Sequence, residues 1–133
     1  MFRYPTVCDE PLKSRILIVD DHNLVRKGIA SLLASDWVIC GEAANGVDAI
    51  EKVRELRPDL VVLDLGMPLM GGTTAAREIR RIAPEIKIVF LSMHESETIA
   101  QLGKLVRVDA YLTKGCSPEN LKRTIADLLR PAP

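Results

Sequence analysis

The run Ile16-Leu17-Ile18-Val19-Asp20-Asp21 decides how the chain is read. Its four apolar residues follow one another without polar alternation, which is how a parallel strand buried on both faces looks. Two carboxylates stand where that strand ends. Leu60-Val61-Val62-Leu63-Asp64 repeats the pattern, again ending on an acid. With Val38–Ala43, Ile86–Ser92 and Asp109–Leu112 these runs make five strands, Arg15–Val19 and Leu60–Asp64 among them.

The segments between the strands have helical period. Val25, Ile29, Leu32 and Leu33 predict one apolar face, and Val47, Ile50, Val53 and Leu56 a second. Ala75, Ala76, Ile79 and Ile82 give a third, Ile99, Leu102 and Val106 a fourth, and Leu121, Ile125, Leu128 and Leu129 a fifth. Breakers separate the units: Asn45-Gly46, Arg57-Pro58-Asp59, Gly71-Gly72, Ala83-Pro84 and Ser117-Pro118. Five βα units with short connections predict a doubly wound α/β fold, flavodoxin-like, with a five-stranded parallel sheet in the order 2-1-3-4-5 and five helices. A chain of 133 residues holds one such domain and is too short for a TIM barrel.

In sheets of this kind ligands bind at the carboxyl ends of the strands, near the first and third. Those ends carry Asp20-Asp21, Asp64 and Ser92, with Lys114 just past the fifth strand. Three carboxylates crowded together raise one another's pKa or attract a cation, and an all-oxygen set suits a hard divalent ion such as Mg²⁺. A lysine and a serine beside them would receive the oxygens of a phosphoryl group. Taken singly, each residue has a plainer role: Asp21 as a helix cap, Asp64 in an Asx-turn, Lys114 on the surface. Their joint placement at the ends of strands one, three, four and five favours the chemical reading.

The chain resembles a response regulator receiver domain over residues 14–130. The resemblance is carried by Ile16-Leu17-Ile18-Val19-Asp20-Asp21-His22, by Pro58-Asp59-Leu60-Val61-Val62-Leu63-Asp64-Leu65-Gly66-Met67-Pro68, by Leu91-Ser92-Met93-His94 and by Ala110-Tyr111-Leu112-Thr113-Lys114-Gly115. Asp-Asp-His, Val25-Arg26-Lys27-Gly28 and Leu-Ser-Met-His further resemble the branch with LuxR-type helix-turn-helix output domains. The resemblance implies that Asp64 is the phosphoacceptor, with Ser92 and Lys114 contacting the acyl phosphate. It implies magnesium held by Asp20 through water and by Asp21, Asp64 and the Gly66 carbonyl directly, with Met67-Pro68 fixing the loop. Ser92 and Tyr111 would form the switch. The domain would be a signalling module that catalyses its own phosphorylation and dephosphorylation, not an enzyme acting on a separate substrate. Its donor would be a sensor histidine kinase, a homodimer is one assembly, and the domain is either a lone receiver or, as the branch-like motifs favour, part of a longer regulator that would reach DNA through a separate output domain.

Eighteen basic and eighteen acidic residues balance, so direct nucleic-acid binding by this chain is not expected. No apolar run has membrane-spanning length and no secretory signal opens the chain, which sets the expectation of a cytoplasmic domain without membrane contact. Residues 1–13 read as an N-terminal extension, 14–130 as the receiver domain and 131–133 as the start of a linker or the chain's end. Cys8, Cys40 and Cys116 have no disulfide or zinc spacing.

Departures from the family pattern are also visible. Leu105-Val106-Arg107-Val108-Asp109-Ala110 puts larger residues where a Gly-Ala turn is usual, Gly66 lacks a side chain, and His94 is bulky. His22 and His94 read as a helix-start and a rim residue rather than ligands, since Mg²⁺ prefers oxygen. Three other classes are disfavoured. A receiver-like interaction module that never needs phosphate would have no use for the acids, Ser92 and Lys114 that are kept here. A phosphohydrolase would want an acid, not Gly66, two residues after Asp64, and a flavin or dinucleotide site would want a Gly- or Ser/Thr-rich loop where Asp20-Asp21-His22-Asn23 stands.

Overall fold

The computed structural model describes residues 13–66, 71–93, 104 and 106–130. Within them the order is β1 (Arg15–Val19), α1 (Asn23–Leu33), β2 (Val38–Ala43), α2 (Gly46–Leu56), β3 (Leu60–Asp64), α3 (Gly72–Ile82), β4 (Lys87–Ser92), β5 (Ala110–Thr113) and α4 (Pro118–Leu129). All strand pairs are parallel, and the sheet order is β2-β1-β3-β4-β5, as the sequence predicts. β4 starts one residue later than expected and β5 is shifted by one. Four helices lie among the described residues. The additional helix expected around Ile99, Leu102 and Val106 falls mostly outside them.

Successive residues of the central strands point to opposite sides, and both sides are covered. Leu17, Val19, Val61, Leu63, Ile88 and Phe90 pack with Ala49, Ile50 and Val53 of α2 and Ala75, Ala76 and Ile79 of α3. Ile16, Ile18, Leu60, Val62, Val89 and Leu91 pack with Leu33 of α1 and Leu121 and Ile125 of α4. Burial on both faces is why these runs carry no alternation. The amphipathic faces of α1 and α2 are narrower than their spacing suggests, for Val25 and Val47 stay substantially exposed.

The helix ends follow local chemistry. Asn45 caps α2 by accepting from Asp48 N–H, and Ser117 caps α4 by accepting from Asn120 N–H, with Pro118 in the first turn. Arg57 closes α2 in the left-handed conformation at φ 50°. Among the described residues no helix is long and apolar enough to cross a membrane.

The chain runs from β1 outward to β2, then returns to β3 on the other side of β1. Connections therefore leave β1 and β3 toward opposite faces, and a crevice opens at their carboxyl ends.

Candidate functional site

The parallel ladder continues one residue past the strand ends, and this fixes the backbone of the site. Asp20 N–H donates to Ala43 O at 3.0 Å, Leu65 N–H to Leu91 O at 3.0 Å, and Lys114 N–H to Ser92 O at 2.7 Å. Asp20, Asp64, Ser92 and Lys114 are thereby brought to one edge by sheet pairing alone.

The side chains of Asp20, Asp64 and Lys114 converge. Lys114 Nζ lies 2.9 Å from Asp20 Oδ2 and 3.3 Å from Asp64 Oδ1. Asp20 is 1% exposed, Asp64 4% and Ser92 8%, and they are the only buried polar or charged side chains among the described residues. Asp64 Oδ1 also accepts from Gly66 N–H at 3.1 Å, so the Asx-turn expected as the plainer role exists within the site. Asp21 does not cap α1; His22 holds the cap position. Met67 and Pro68, expected to fix the loop after Gly66, lie outside the described residues, as does His94.

Burial raises the Asp64 pKa above the ordinary carboxylate value, and the Asp20 charge adds to the rise; Gly66 N–H and Lys114 pull the other way without cancelling it. Burial alone would lower Lys114, but the Asp20 and Asp64 carboxylates outweigh it and hold the ammonium above its usual value. Between the ordinary carboxylate range and its own raised value, folded Asp64 keeps a proton that the unfolded chain has released. Its contribution to stability therefore falls as pH climbs through that interval. We expect Asp64→Asn, with divalent ions chelated, to melt higher than wild type at about pH 7 and to lose that advantage near about pH 3, below the ordinary carboxylate range. Thermal unfolding at the two pH values checks this, and a lower melting temperature for the variant at neutral pH contradicts it.

The site has the chemistry of a cation site. Ligand atoms of Asp20, Asp21, His22 and Asp64 all lie within 4.8 Å of one another. Asp21 Oδ1 is buried with no hydrogen-bond donor, whereas the buried Asp20 Oδ2 faces the Lys114 ammonium at 2.9 Å. Buried carboxylate oxygens without donors are costly unless a positive charge satisfies them. A hard divalent ion fits this donor set.

Two supports were not legible as such in the sequence. Arg26 donates to the Asp20 carbonyl at 2.8 Å and is itself held by Glu42 and Asn23, which pins the loop bearing the acids. Gly72, read in the sequence only as a breaker, packs against the Asp64 backbone: a Cβ there would stand 2.5 Å from Asp64 O and 2.7 Å from Leu65 Cα. The signal available was a second glycine in Gly71-Gly72, one more than a turn requires. Tyr111, on edge strand β5, is 44% exposed.

Comparison with known proteins agrees with this geometry. The family described as "Response regulator receiver domain" matches residues 16–126. "Response regulator protein VraR" of Staphylococcus saprophyticus is 38% identical over 113 residues, covering 84% of this chain and 54% of that protein. "Response regulator GacA" of Pseudomonas viridiflava is 36% identical over 113 residues, covering 84% of this chain and 53% of that protein. The chain thus spans about half the length of the curated relatives it matches. Among solved structures, a LuxR-family two-component response regulator from Aurantimonas sp. SI85-9A1 superposes with a TM-score of 0.83 at 34% identity, over 87% of this chain and 85% of that one.

Proposed function

This chain belongs to the response regulator receiver domain family, and from that premise we propose that it accepts a phosphoryl group on Asp64 from a sensor histidine kinase and so alters an output surface. The observation that carries the proposal is the convergence of Lys114 on both Asp20 and Asp64 at the carboxyl edge of the sheet. Asp20, Asp21, Asp64 and the Gly66 carbonyl would hold Mg²⁺. The ion, when bound, would neutralise charge on the incoming phosphoryl group.

The chain's own residues account for the rest. An Asp64 carboxylate oxygen attacks phosphorus, its new P–O bond forming as the donor's P–N bond breaks, and the departing imidazole leaves neutral, keeping one ring N–H and taking any proton it lacks from solvent. Lys114, held protonated by its carboxylate neighbours, receives the negative charge of the phosphoryl oxygens. Ser92, on the adjacent strand end, reaches the acyl phosphate in the active state, and Tyr111 follows it as the switch. The reaction modifies the domain itself, so this is a self-phosphorylating and self-dephosphorylating signalling unit.

In this reading residues 14–130 are the receiver, 1–13 an extension and 131–133 the start of a linker. The LuxR-family likeness favours a regulatory part of a transcriptional regulator that pairs as a homodimer and works in the cytoplasm, with DNA contacted by another domain and not by this one.

Incubated with acetyl phosphate and Mg²⁺, the protein should gain one phosphoryl group in its intact mass. Chelation should abolish the gain, and Lys114→Ala should reduce it more than it reduces the melting temperature. Undiminished phosphorylation in excess chelator would contradict the assignment of the acids.

A further inference from the structure

His22 occupies the N-cap of α1 with φ −89° and ψ 110°, yet its side chain makes no cap hydrogen bond. Ser, Thr, Asp or Asn at that position stabilises a helix by about 1 kcal/mol over a residue that does not cap. Helix stability therefore does not account for an imidazole here. The side chain is instead turned toward the acids: Nδ1 stands 3.3 Å from Asp21 Oδ1 and 3.6 Å from Asp20 Oδ1.

The placement is built into the backbone. His22 N–H donates to Asp20 Oδ1 at 2.8 Å, closing a tight turn, while Arg26 holds the Asp20 carbonyl. The imidazole thus springs from a pinned loop. Donors facing each other across a divalent ion at bond lengths of about 2.1 Å are roughly 4.2 Å apart. The four ligand atoms lie within 4.8 Å of one another, so even the widest pair stands no more than about 0.6 Å beyond the span of one ion. The buried Asp21 Oδ1, which has no hydrogen-bond donor and no lysine beside it, points to a cation at this spot.

We propose that His22 Nδ1 is a ligand of the same centre and gives it an added affinity for late first-row divalent ions, Co²⁺, Ni²⁺ or Zn²⁺, that the oxygens alone would not supply. Mg²⁺ gains little from an imidazole, whereas nitrogen donors strengthen binding along the first-row series. In the sequence the oxygen preference of Mg²⁺ makes His22 a helix-start residue. That position is correct, but the side chain's direction is not that of a cap. The inference rests on the reading that the acids hold a divalent cation.

The test is calorimetric titration of the whole chain with MgCl₂ and, separately, CoCl₂ at about pH 8, above the usual imidazole range, accompanied by the visible absorption of bound Co²⁺. His22→Asn is the variant of choice, since Asn caps helices well and removes only the nitrogen ligand. It should weaken Co²⁺ binding about tenfold or more and change the Co²⁺ spectrum, while Mg²⁺ affinity stays within about twofold. Equal loss for both ions, or unchanged Co²⁺ affinity and spectrum, would overturn the role of His22 and leave the acid site standing. Wild-type protein that bound neither ion would overturn the acid site and this inference with it.

Discussion

Gly72→Ala should cost the fold about 3 kcal/mol, at the upper end of ordinary overpacking. Alanine is the better helix former, by about 1 kcal/mol, so propensity predicts a gain at this first position of α3. The contact reverses the sign. The new methyl would stand 2.5 Å from the Asp64 carbonyl oxygen and 2.7 Å from Leu65 Cα, and both are backbone atoms that cannot rotate away. α3 cannot simply retreat, because Ala75, Ala76 and Ile79 are fully buried behind it. The strain is relieved by moving the backbone that carries Asp64, so phosphorylation should fall together with stability. Gly71→Ser is the control: nothing lies within 4 Å of its added Cβ, and serine suits the N-cap position that Gly71 occupies. Urea unfolding of the two variants checks the contrast, and a neutral Gly72→Ala would refute the close packing.

The second large effect is expected at Arg80. Its Nη1 donates to Pro84 O at 2.9 Å and Ile86 O at 2.7 Å, and its Nη2 to Arg107 O at 2.7 Å and Asp109 Oδ2 at 2.9 Å. One guanidinium thus ties the end of α3 to the start of β4 and to the turn that enters β5. The side chain is largely buried, as is that of Asp109, which also accepts from Ile88 N–H at 2.8 Å. Arg80→Met keeps most of the stem's volume but strips three carbonyls and a carboxylate of a donor. Breaking such a pair from one side costs about 3 kcal/mol. Arg107, held by this clamp, sits at φ 59°, a left-handed conformation that disfavours side chains. Amide exchange should therefore accelerate at Ile88 and Asp109 as the turn loosens. A loss under about 1 kcal/mol, the size of an ordinary exposed ion pair, would show the clamp to be ornamental.

That same turn explains where sequence reading reached and where it stopped. The strands, the sheet order and the convergence of Asp20, Asp64, Ser92 and Lys114 follow from apolar runs and from the rule that strand ends meet at one edge. Local pattern determines them. The sequence also reveals that Leu105–Ala110 lacks the usual Gly-Ala turn, but not what binds the turn. Arg80, 27 residues before Arg107, donates to its carbonyl, and no local pattern encodes a contact at that separation. Gly72 was legible as a breaker and not as a support for Asp64, because a missing Cβ leaves no mark on periodicity. His22 was legible as a helix start; the direction of its ring depends on the turn closed by Asp20, which only coordinates reveal.

Intact-protein mass spectrometry of wild type and Asp64→Asn, each incubated with acetyl phosphate and Mg²⁺, separates Asp64 from every other candidate phosphoacceptor. Wild type should gain a single phosphoryl group and the variant none, while the variant remains folded and, without metal, melts higher. A phosphoryl adduct on Asp64→Asn at the wild-type level would place the acceptor elsewhere.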